Sequence, residues 1–99
     1  MHHDFEWDPS KARTNSRKHG VTFERATEVF LDPVALSVFD GRHSDTEDRY
    51  VTIGTDSRDV SIVVVHTFRQ EGPNHDTIRI ISARKATKRE REQFAKGSR

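Results

Sequence analysis

Apolar residues in this chain gather into short runs separated by polar stretches, and their spacing alternates between strand and helix periods. The densest signal is Thr77 to Ala83, where Ile78, Ile80 and Ile81 make an apolar segment of strand length rich in β-branched side chains. A helix start follows at once: Thr87 is followed three residues later by Glu90, the reciprocal pairing in which each side chain satisfies an orphan backbone N–H. Val60 to Phe68 forms a second long strand, with Val60, Ile62, Val64, His66 and Phe68 on one face and Ser61, Val63, Val65, Thr67 and Arg69 on the other. Both faces are apolar in the middle, as expected of a strand covered by helix. Gly72-Pro73-Asn74 turns it back toward Thr77, a hairpin able to bring Arg69 near Arg79.

Upstream, Phe5-Glu6-Trp7 alternates as a short strand closed by Asp8. Asp8 then caps a helix over Pro9 to His19, with proline at the first helical position, Lys18 and His19 in the last turn and Gly20 as terminator. This helix has Ala12 as its sole aliphatic residue, so it lies across a surface or a cleft. Lys11 and Asn15 share one of its faces, placed to approach a ligand or to stand exposed. Thr22 caps a second helix whose apolar stripe is Phe23, Ala26, Thr27, Phe30 and Leu31, and Asp32-Pro33 ends it. Its other face, Glu24, Arg25 and Glu28, reads as solvated, with Glu24 an acid/base candidate. Ala35 to Phe39 and Arg49 to Gly54 are further strands, and Asp40-Gly41 and Thr55 to Asp59 are turns.

Ninety-nine residues suit one small domain spanning 1–99, with a thin core, since 31% of positions are hydrophobic and 33% charged. The absence of cysteine excludes a disulfide framework and a thiolate zinc site and fits a reducing, cytoplasmic setting. No apolar run approaches a membrane span, and MHHDFEWD lacks the pattern of a targeting segment. The net charge of +1 conceals a gradient: residues 79–99 hold eight Lys/Arg against two Glu, and residues 1–78 hold nine against fourteen Asp/Glu. The basic end suits an anionic partner such as nucleic acid, or is a solvated terminal helix.

Asp40, His43, Asp45 and Glu47 are metal-competent side chains, but their spacing matches no recognisable site. An unblocked Met1 amine with His3 could take copper or nickel through the backbone. Two arginines converging from neighbouring strands without a matching buried acid call for an anion, phosphate first. On a regular strand Arg79 shares a face with Ile81 and Arg84 with Ile80, so only a bulge or the strand end lets both reach one site.

The stretches FEWDPSKARTNSRKHGVTFERATEVFLDP at 5–33, RYVTIG at 49–54, VVVHTFR at 63–69 and IRIISARKATKRE at 78–90 together resemble the BrnT family of bacterial toxins. Four separated motifs in the right order cover nearly the whole chain. The resemblance implies an α+β, RelE-like fold, a small mainly antiparallel sheet with two N-terminal helices and a C-terminal helix packed on it. It also implies an RNA-cutting toxin that arrests translation and is neutralised by a BrnA-type antitoxin, which binds operator DNA for the complex.

Metal-independent RNA cleavage uses the 2′-OH as nucleophile, so the enzyme must take that proton, stabilise charge on phosphorus and protonate the 5′-oxygen. By position the phosphate clamps are Arg69, Arg79 and Arg84, with Lys11 if the first helix crosses the cleft. Arg84 is alternatively an anchor for the last helix or the antitoxin. His66 is the candidate for proton transfer, because an imidazole titrates near neutrality. No cofactor is called for. The alternative function is a non-catalytic nucleic-acid-binding or protein-interaction module, which would bind in a salt-dependent manner without cutting.

Overall fold

The computed structural model describes residues 2–43 and 47–97. Five strands, β1 (His2–Glu6), β2 (Leu36–Phe39), β3 (Arg49–Thr55), β4 (Ser61–Gly72) and β5 (His75–Lys85), form one sheet in the order β1-β5-β4-β3-β2. Three helices, α1 (Pro9–His19), α2 (Phe23–Thr27) and α3 (Lys88–Gly97), complete an α+β architecture.

The sheet is mixed rather than antiparallel throughout, and a strand precedes the helices. β1 runs parallel to β5, pairing Asp4 with Thr77 and Glu6 with Arg79, while the other neighbours are antiparallel. The reason lies at the outer edge of β5. β1 covers only its first half; Asp8 then accepts the N–H groups of Ser10 and Lys11 and starts α1, which covers the second half.

There the buried Asn15 acts as a strand substitute. Its amide donates to the Ala83 carbonyl at 2.8 Å and accepts the Ala83 N–H at 3.1 Å, with a further donation to Val21. An edge that would otherwise bury unpaired backbone groups is thereby satisfied. Gly20, at φ +69°, ends the helix in the left-handed conformation that glycine adopts without strain.

The core lies between the sheet and α1–α2, with Val21, Phe23, Ala26 and Val29 packed on Ile62, Val64, Ile78, Ile80 and Ala83. The second helix differs from its expected stripe. After Thr27 it tightens into a 3₁₀ turn over Glu28–Leu31, so the buried positions fall three apart at Phe23, Ala26 and Val29, and Leu31 is left 79% exposed. Val29 in turn presses on β3 at Gly54, where a β-carbon would lie 2.9 Å from its methyl group.

The opposite face of the sheet is covered only at one end, where α3 lies over Leu36, Val38, Ile53 and Val63. Its start is the expected capping pair, with Thr87 N–H donating to Glu90 at 2.8 Å and Glu90 N–H to the Thr87 hydroxyl at 3.1 Å. Among the described residues no helix covers the rest of that face.

Replacing Asn15 by alanine removes three hydrogen bonds and strands buried backbone groups of Ala83. We expect a loss of about 3 kcal/mol in urea unfolding; a loss under about 1 kcal/mol would show that the edge finds other partners.

Candidate functional site

One extra residue in β5 decides which side chains meet. Val65 pairs with Ser82 and His66 with Ile80, so Ile81 is a bulge. Alternation resumes one residue late, and Arg79, Ser82 and Arg84 all belong to the open face. The strict alternation read from the sequence, which separates Arg79 from Arg84, is overridden.

On that face Arg79 lies opposite Thr67 in β4, which in turn lies opposite Arg49 in β3. Arg69 lies opposite Thr77, one row further toward the hairpin. The structure therefore brings Arg69, Arg79 and Arg84 to one side of the sheet, each beside a partly exposed carboxylate. Arg79 stands 3.6 Å from Glu6, and Arg69 donates through Nε to Glu71 at 2.7 Å, with Thr77 donating to the same carboxylate oxygen. These pairs are about half exposed, so each contributes little to stability.

Arg84 is differently held. Its two terminal nitrogens reach the two oxygens of Glu90 at 2.7 and 2.9 Å. Arg84 first, and then Thr87, hold the Glu90 carboxyl down at about 2 against the cost of its partial burial. Arg84 thus ties β5 to the first turn of α3, the anchoring role left open by the sequence.

Where α1 passes the bulge, a cleft of about 280 Å³ opens, lined by Ser10, Lys11, Thr14, Lys18, His19 and Ser82 beside Asn15 and Ile81. Two ammonium groups, an imidazole and three hydroxyls face this space, and no carboxylate lines it. Arg79 adjoins it: Asp8, kept below its usual carboxyl range first by the backbone N–H groups of Ser10 and Lys11, also feels the charges of Lys11 and Arg79. Lys11 is among the residues that line this cleft. Lys18, His19 and Ser82 were not singled out as site residues, because their meeting depends on the bulge and on the path of α1. The polar character of α1 was the available signal.

His66 is not with the arginines. It points into the helix-side layer, 4% exposed, between Phe30 and Tyr50. Its Nδ1 lies 3.1 Å from the Thr67 carbonyl and its Nε2 2.6 Å from the Thr52 hydroxyl. Burial pushes its pKa below the ordinary value. Asn15, grouped with Lys11 as a possible ligand contact, is buried and structural. Glu24 is exposed on α2 and Glu28 receives Ser57. Among the described residues no group of three or more His, Cys, Asp or Glu could hold a metal ion. Asp45 and Met1, which figured in the metal readings, lie outside those residues, and the His3 ring is held by Asp76. No helix among the described residues is long and apolar enough to cross a membrane.

Residues 7–90 match the family described as ribonuclease toxin, BrnT, of type II toxin-antitoxin system. The fold is similar to the 1.1 Å crystal structure of the Brucella abortus ribonuclease toxin BrnT, with a TM-score of 0.59 and 25% sequence identity. The match covers 89% of this chain and 100% of that one. A search of curated proteins gives no match.

The buried imidazole makes stability depend on acid. His66 takes up a proton less readily in the folded chain than in the unfolded chain, which does so near 6.5, so its contribution is whole above 6.5 and declines as pH falls below it. Urea midpoints measured from pH 7.5 to 5.5 should fall more steeply for the wild type than for His66→Gln. Equal slopes would mean that the ring is protonated in place.

Proposed function

This chain belongs to the BrnT family of ribonuclease toxins of type II toxin–antitoxin systems, and from that premise we propose that it cuts RNA in the cleft between α1 and the β5 bulge. The observation that carries this reading is the lining of the cleft: Lys11, Lys18, His19 and Ser82 together, with Arg79 adjoining on the same face and no carboxylate in the wall.

The chemistry is a metal-independent transesterification. The 2′-oxygen loses its proton and bonds to the adjacent phosphorus, the bond from phosphorus to the 5′-oxygen breaks, and that oxygen takes a proton. The products are a 2′,3′-cyclic phosphate and a 5′-hydroxyl. Negative charge grows on the non-bridging oxygens, where Arg79, Lys11 and Lys18 stabilise it electrostatically and Ser82 adds a hydroxyl donor. Arg69 extends the clamp along the strand toward the hairpin. Proton transfer falls to the titratable groups of this face, His19 in the cleft and Glu6 beside Arg79, rather than to His66 on the far side of the sheet.

A type II toxin acts beside an antitoxin, so the family carries a protein partner with it. In this reading the partner is BrnA-type and supplies operator binding for the complex, the frame is RelE-like, and the toxin arrests translation in the cytoplasm.

The test is incubation of the antitoxin-free protein with total RNA in EDTA, with analysis of the new ends. Wild type should release fragments bearing cyclic phosphate and 5′-hydroxyl ends. Arg79→Ala and Lys11→Ala should each cut about 100-fold more slowly while unfolding like the wild type. Undiminished cleavage by both variants would move the site elsewhere, and loss of cleavage on chelation would refute the metal-independent route.

A further inference from the structure

The helix layer leaves one corner of its own side of the sheet uncovered, and aromatic rings occupy it. Phe39 on β2, Tyr50 on β3 and Phe68 on β4 form a strip, with Tyr50 edge-on to Phe39 at 5.6 Å and to Phe68 at 6.5 Å between ring centroids. Phe39 is 52% and Phe68 43% exposed. Between them a cavity of about 270 Å³ is walled by Tyr50 and Phe68 and given polar character by Ser37 and the edge of His66. That is slightly smaller than the about 300–1,000 Å³ common for small-molecule sites, a size suited to one planar ring.

The hydrogen-bond chain behind the cavity has a fixed direction. The Thr67 carbonyl can only accept, so the proton of His66 is on Nδ1. Burial keeps the ring neutral, which leaves Nε2 as a bare acceptor. Thr52 must therefore donate its hydroxyl proton to Nε2 at 2.6 Å, and Ser37 must donate its own to Thr52 at 2.6 Å. With that proton committed, Ser37 offers only lone pairs to the cavity. The polar contact is an acceptor, flanked by stacking surfaces.

We propose that this cavity binds a single unstacked nucleobase carrying an exocyclic amino group, as adenine, cytosine and guanine do, which stacks on Phe68 and Tyr50 and donates to Ser37 Oγ. The proposal rests on the reading of the chain as an RNA-cutting enzyme and adds to it a base preference that the phosphate cleft lacks. Exposed aromatics on a sheet are a common means of holding splayed bases of single-stranded RNA. The pairing of β3 with β4 ends at Arg49 and Thr67, and the next two residues of β4, Phe68 and Arg69, face the cavity side and the arginine side respectively. A strand crossing the sheet there meets a stacking ring on one face and a guanidinium on the other.

The test uses fluorescein-labelled hexamers of adenosine, cytidine and uridine, 2′-O-methylated so that they cannot be cut, and fluorescence anisotropy with the full chain. Wild type should bind the adenosine and cytidine hexamers about tenfold more tightly than the uridine hexamer. Phe68→Ala, which removes a half-exposed ring, should weaken adenosine binding about tenfold with an unchanged thermal midpoint. Ser37→Ala should abolish the preference while leaving uridine affinity as it was. If wild type shows no preference and both variants bind like it, while Arg79→Ala weakens all three hexamers, the pocket is refuted and the ribonuclease reading stands. If wild type binds no hexamer, the RNA reading fails and the pocket with it. If the Phe68 variant keeps its hexamer affinities but no longer co-purifies with a co-expressed BrnA-type antitoxin, the strip is a protein-docking surface and the proposal is overturned.

Discussion

The outer edge of β5 is the constraint on which the rest depends. β1 pairs with it only as far as Arg79, and beyond that point the backbone of a buried strand still needs partners. The Asn15 amide supplies them at Ala83. Because a helix rather than a strand completes the edge, α1 is fixed alongside the bulge with Lys11 and Lys18 facing Ser82. A β-strand in its place would satisfy the same backbone groups without building a cleft.

The bulge at Ile81 acts in concert with that edge. Without it, Arg79 and Arg84 would lie on opposite faces; with it, Arg79, Ser82 and Arg84 share the open face. They then divide the work by their partners. Arg84 is committed to Glu90 and holds α3, whereas Arg79 has the half-exposed Glu6 at 3.6 Å. The two layers of the sheet are also chemically distinct: a basic cleft with arginines on one side, and a buried core that ends in an aromatic strip on the other.

Much of this was legible in the residues themselves. Asp8 and Gly20 bracket α1, the Thr87–Glu90 pair begins α3, and alternation along β4 places His66 and Arg69 on opposite faces, each visible as a local rule. What escaped depended on distant partners. The parallel entry of β1 follows from long-range pairing, not from Phe5-Glu6-Trp7 alone. The exposure of Leu31 follows from a helix tightening under tertiary packing, and the identity of Ile81 as the unpaired residue follows from β4. His66 is the converse case: its residue type suggested proton transfer, although alternation along β4 already placed it on the face opposite Arg69.

The most direct test of the account is to map where RNA lies on the intact chain. Titrating the isotope-labelled protein with an uncleavable 2′-O-methyl RNA hexamer and following its backbone and side-chain resonances should perturb Lys11, Lys18, Arg79 and Ser82 together. Shifts confined to surfaces away from α1 and the bulge, with those four residues unmoved, would contradict it.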